Sequence, residues 1–135
     1  MATTTATLTL SSADLTGDQL ALTTIATLTK AGTATGMSET SGVGRKTTTA
    51  TAQYVLFDGN DYAATGSHKI YLKNTSSTAS EFFTLSINAE EVGRLYAGDW
   101  AFLPWGAHDA DNDVKITPSV DTTMTLEYML IYQVS

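Results

Sequence analysis

The sequence predicts an all-β protein: an antiparallel β-sandwich of jelly-roll type, preceded by an extended threonine-rich N-terminal arm. Three observations carry this. Apolar residues recur at period two rather than at the helical 3.6. Clusters of Gly, Asp, Asn and Ser punctuate the chain at the spacing of short strands. The one helix-like signal, Asn88 and Glu91 at capping-box spacing, runs into Gly93, so residues 88–91 read as a turn between strands.

Taken in order, Ala6, Leu8 and Leu10 fall on one face of a first strand, with Thr5, Thr7 and Thr9 on the other. β-Branched threonine favours extended backbone. Leu20, Leu22, Ala26 and Leu28 repeat the pattern, broken at Thr24, and residues 14–17 and 31–36 read as turns. Residues 47–57 form one long β-favouring run, closed by Asp58-Gly59-Asn60-Asp61. In 69–73, Ile70 and Leu72 point inward and Lys69, Tyr71 and Lys73 outward; a polar loop follows over 74–80. Phe83, Leu85 and Ile87 face one way, and Thr84, Ser86 and Asn88 the other. Residues 92–96 and 100–105 read as two strands joined at Ala97-Gly98-Asp99, and Pro104 places the second near a sheet edge. Val114 and Ile116 mark a short strand. Met124, Leu126, Tyr128, Leu130, Tyr132 and Val134 line one face of the last strand. Met129 and Ile131 occupy its other face, so that strand is expected to be central or covered by a neighbouring subunit. The count is about eight strands.

Every aromatic residue lies between Tyr54 and Tyr132. Residues 1–46 are therefore read as a Thr/Ala-rich arm or a set of added strands, and 47–135 as the sandwich that owns the core. The chain has 135 residues and no cysteine, which excludes disulfides and thiolate metal sites. Its net charge is −7, and the basic residues (Lys30, Arg45, Lys46, Lys69, Lys73, Arg94, Lys115) are scattered, so nucleic acid is not an expected partner. No apolar stretch approaches the length of a membrane span. Met1-Ala2-Thr3 opens without a basic segment before an apolar run, so no signal peptide is expected, and synthesis in the cytoplasm fits.

The motifs that could carry chemistry are weak. Asp109-Ala110-Asp111-Asn112-Asp113 alternates carboxylates as a calcium loop does, but the sixth and twelfth positions are Val114 and Val120 where an EF-hand needs Gly and Glu. An acidic surface turn or a weak calcium site of another kind are the two readings. His68 and His108 lack a nucleophile elbow to build a triad. Glu90 and Glu91 are adjacent, so on a strand they point to opposite faces. Gly42-Val43-Gly44-Arg45-Lys46 lacks P-loop spacing. The Thr-x-Thr rows are too irregular for an ice-binding array. Asn74-Thr75-Ser76 is a glycosylation sequon, read as chance. No catalytic residue, cofactor or metal is expected.

The most aromatic stretch is Gly98 to Gly106. On a strand, Trp100 and Phe102 share one face and Leu103 and Trp105 the other; one face belongs to the core and the other can anchor a subunit contact.

The segment KIYLKNTSSTASEFFTLSINAEEVGRLYAGDWAFLPW (69–105), followed by DNDVKITPSVDTTMTLEYMLIY (111–132), resembles small virion structural proteins of tailed bacteriophages, particularly those of cyanobacterial phages. The shared pattern is a strand ending in Lys-Asn and a polar loop, a hairpin written Glu-x-Gly-Arg-Leu then Gly-Asp-Trp, an aromatic-proline strand and a closing LEYMLIY. The resemblance covers roughly the last half of the chain and carries no active-site residue. It implies a non-enzymatic β-sandwich built into the virion. Within that class the expectation is a head decoration (cement) protein, a homotrimer seated on the major capsid protein, with Leu8, Leu10, Leu22, Leu28, Trp105, Met129 and Ile131 as candidate contacts. The alternative is a tail or receptor-binding domain that stacks sugars on Trp105 or Tyr71.

Overall fold

The computed structural model describes residues 2–15, 17–37 and 39–134; Met1, Thr16 (inside the expected turn at 14–17), Ser38 and Ser135 lie outside the described residues. The chain forms two compact units, Met1–Ser38 and Glu39–Ser135. The division thus falls between 38 and 39 rather than between 46 and 47.

The first unit is a two-stranded ribbon, β1 (Thr5–Ser12) against β2 (Leu20–Thr27), antiparallel and in unbroken register from Thr5↔Thr27 to Ser12↔Leu20. The turn is nucleated by Ser12, whose Oγ accepts from the Leu15 N–H at 3.1 Å. Beyond β2 the chain folds back through Lys30, whose N–H donates to Thr35 O at 2.8 Å, so that Thr29 bridges Gly36. Gly36 is required there, because a Cβ would run into the Ala2 carbonyl.

The second unit is an antiparallel β-sandwich. One sheet pairs β5 (Tyr54–Phe57), β10 (Val114–Pro118), β7 (Phe82–Ile87) and β8 (Glu90–Tyr96) in that order. The other runs β3 (Glu39–Thr40), β11 (Met124–Tyr132), β6 (His68–Asn74), β9 (Trp100–Trp105), with β4 (Gly44–Thr48) also on β11. The alternation in β6 is complete: Ile70 and Leu72 are fully buried while Lys69, Tyr71 and Lys73 face out. With Phe83, Leu85, Leu95, Ile116, Leu126 and Leu130 they fill the space between the sheets. Each such side chain contributes about 1.5–3 kcal/mol by leaving water.

Three expectations need correction. The 47–57 run is not one strand. It breaks after Thr48, where the chain leaves one sheet for the other, and Thr51 is held at the crossing by Asp121, whose Oδ1 accepts from the Thr51 N–H at 2.6 Å and its hydroxyl at 2.8 Å. Strands β8 and β9 do not form a hairpin; they sit in different sheets, and 97–99 is an arch between them, closed by the Asp99 N–H to Tyr96 O bond at 2.9 Å. The described residues form eleven strands rather than eight; β3 and β4, which the arm was expected to include, are partners of β11. Other expectations match. Residues 88–89 are the two-residue turn of the β7–β8 hairpin, with φ of 54° and 59°. β11 is central, between β6 and β3/β4, and β9, which carries Pro104, is an edge strand.

Candidate interaction surfaces

Position along the strands decides which candidate contacts are available. In β9 the odd residues turn inward, so Trp105 is in the core at 3% exposure. It packs against Phe57, Tyr62 and His68, and its Nε1–H donates to Asn112 O at 2.8 Å. Trp105 is therefore neither a subunit anchor nor a sugar platform. Leu28 and Ile131 are buried as well, and Leu8 and Met129 are partly covered. Leu10 and Leu22, directly opposite each other in the ribbon, are each 45% exposed. Ile25 on the other ribbon face is exposed too.

The even partner of Trp105's strand supplies what sequence reading missed. Trp100 (53% exposed) and Phe102 stand on the outer face of the edge strand. The register sets Trp100 beside Lys73 and Phe102 beside Tyr71. Across β11, Glu127 takes the Tyr71 hydroxyl at 3.0 Å and lies 3.7 Å from the Arg45 guanidinium. Burial, and then the bond to Glu127, push the Tyr71 hydroxyl above the usual tyrosine range. The signal was the alternation of 100–105; choosing its outer face needed the β6–β9 register, a long-range fact.

The side chains of the chemical motifs make the following contacts. Asp113 is buried and accepts from the Gly59 N–H at 2.8 Å, and Asp109 accepts from the Asp111 N–H at 3.0 Å. Among the described residues no three His, Cys, Asp or Glu side chains group to hold a metal ion. His68 is fully buried. The Gln133 N–H donates to its Nδ1 at 3.2 Å, so the proton sits on Nε2 and is donated to Ala63 O at 2.8 Å. His108 is exposed, 3.8 Å from Asp109. Asn74 of the sequon is fully buried; its Nδ2 donates to Leu95 O at 2.9 Å and its Oδ1 accepts from the Ser76 N–H at 3.0 Å, so in the folded chain its amide serves packing. An open depression of about 310 Å³ beside Tyr62 and Tyr132 takes in Asp61, its one carboxylate among the described residues. Among the described residues no helix is long and apolar enough to cross a membrane.

Comparison with protein-family models, with curated proteins and with solved structures returns no match.

Proposed function

We propose that this protein is a non-enzymatic structural subunit of a bacteriophage virion, a capsid decoration (cement) protein that self-associates as a homotrimer and binds the major capsid protein. One observation carries the structural reading: a sandwich with its own complete core is joined to a ribbon that has almost none. Thirteen residues between Phe57 and Leu130 form the buried cluster of the sandwich, whereas Leu10, Leu22 and Ile25 of the ribbon lie open to solvent. An isolated two-stranded ribbon is marginal in water. Its stability has to come from something packed upon it, which is what an assembly arm requires. The virion setting rests on the resemblance of 69–105 and 111–132. The test is co-sedimentation of the purified protein with emptied capsids of a host phage; saturable binding at a fixed ratio to the capsid protein is expected, and no binding to any virion component would overturn it.

A second reading, a tail or receptor-binding domain that takes carbohydrate, is favoured by exposed Trp100 and Phe102 beside Tyr71. Glycan-array binding lost in Trp100→Ala would select it over the first.

A further inference from the structure

The geometry points to the partner of the ribbon: three copies of this chain, their ribbons joined edge to edge into a closed barrel with the leucine face inside. The inference deepens the proposed self-association and rests on it.

The phase of the β1–β2 ladder follows from one bond. The Leu28 N–H donates to Thr4 O at 2.9 Å, next to the facing pair Thr5↔Thr27. Hydrogen-bonded and non-bonded pairs alternate along an antiparallel ladder. The even residues of β1 (Ala6, Leu8, Leu10) therefore bond to β2, and the backbone groups of Thr5, Thr7, Thr9 and Ser11 point away from it. By the same parity Ala21, Thr23 and Ile25 present the open edge of β2. Beyond the end of β2 the Met37 N–H reaches the carbonyl of the even residue Leu28 at 3.1 Å, which is not part of that odd-residue edge. Among the described residues β1 and β2 pair with no other strand.

Exposed edges are normally guarded by charge, proline or a bulge. Neither TATLTLSS nor LALTTIAT contains a charge, a proline or a glycine, and the register has no bulge. In a chain of net charge −7, these are segments that two copies can bring together without repulsion.

Parity also selects the pairing. The outward-bonding residues of both strands are odd, and odd side chains lie on the threonine face. Pairing the β1 edge of one copy with the β2 edge of the next keeps strands alternating up and down and places leucine face beside leucine face. Repetition around an axis closes the ring, so no edge is left and the apolar face becomes an interior. Pairing β1 with β1 leaves both β2 edges open. The facing pairs toward the interior are Ala6↔Ala26, Leu8↔Thr24, Leu10↔Leu22 and Ser12↔Leu20, half leucine and half Ala, Ser or Thr with no aromatic among them, and side chains of that size fill a six-stranded barrel from three copies rather than a wider one.

The test uses full-length variants. Thr7→Pro removes an outward N–H but none of the β1–β2 bonds, so it blocks the edge without breaking the ribbon. Light scattering should give a trimer for the wild type and a monomer for Thr7→Pro and for Leu10→Asn/Leu22→Asn. Amide exchange in the wild type should protect Thr5, Thr7, Thr9 and Ser11 at least tenfold more than in Thr7→Pro, where those that keep an amide face solvent. A Thr7→Pro protein that stays trimeric, or odd amides that exchange freely in the trimer, would overturn the ribbon barrel and leave self-association standing. A wild-type monomer or dimer would overturn it together with the homotrimer.

Discussion

Asn74 shows how a single buried polar side chain fixes several segments. Its amide ties the end of β6 to β8 through Leu95 O, and its backbone N–H and C=O bond Asp99 and Gly98 in the arch. Asn74→Ala keeps the backbone bonds but removes the side-chain partners of Leu95 O, Glu81 O and the Ser76 N–H. A loss on the order of 2–3 kcal/mol in urea denaturation is expected, with exposed Ser77→Ala near neutral as control. Asp121 makes the pH dependence. The Thr51 N–H and hydroxyl stabilise its ionised form and hold its carboxyl below the usual aspartate range. A depressed folded-state pKa means stability that is present above the unfolded-state value and lost as pH falls through the folded one. The wild-type advantage over Asp121→Asn should therefore be full at neutral pH and vanish on acidification below the usual carboxylate range; an advantage unchanged by acid would contradict this. Neither role is visible in sequence. Asn74 reads as a sequon and Asp121 belongs to no motif, because both act through partners far along the chain.

The strands themselves were largely legible, because burial on one face writes period two directly into β6, β7 and β11. Assignment to sheets was not. Within the sandwich, six of the eight connections between the described strands change sheet; β3 and β4 both stay on β11, and β7–β8 is the hairpin. Local turn chemistry looks alike in an arch and a hairpin, which is why 97–99 was misread. It is also why the outer face of β9, and with it Trp100, could not be chosen over Trp105. The β7–β8 turn makes its own expectation. Ala89 sits at φ 59°, where an L side chain is disfavoured by about 1–2 kcal/mol and glycine is not. Ala89→Gly should raise the midpoint of thermal unfolding, by an amount corresponding to roughly 1 kcal/mol; destabilisation would mean that the turn is formed otherwise.

For the whole molecule, the proposed assembly divides stability and association between the two units. The sandwich holds the buried cluster and the paired sheets, so residues 39–135 alone should unfold cooperatively, with near-wild-type signals in the aromatic circular dichroism. A cut after residue 46 instead removes β3 and most of β4 from β11 and should destabilise the sandwich, which separates the observed boundary from the one the composition suggested. The arm was legible as an aromatic-free, alternating segment. Its pairing into a self-contained ribbon with two unguarded edges came from register, which composition does not encode. The most direct measurement is the mass of the purified full-length protein by light scattering across a tenfold concentration range. A discrete trimer that persists on dilution is the expected result. A monomer at every concentration would contradict a subunit built to assemble with its own copies.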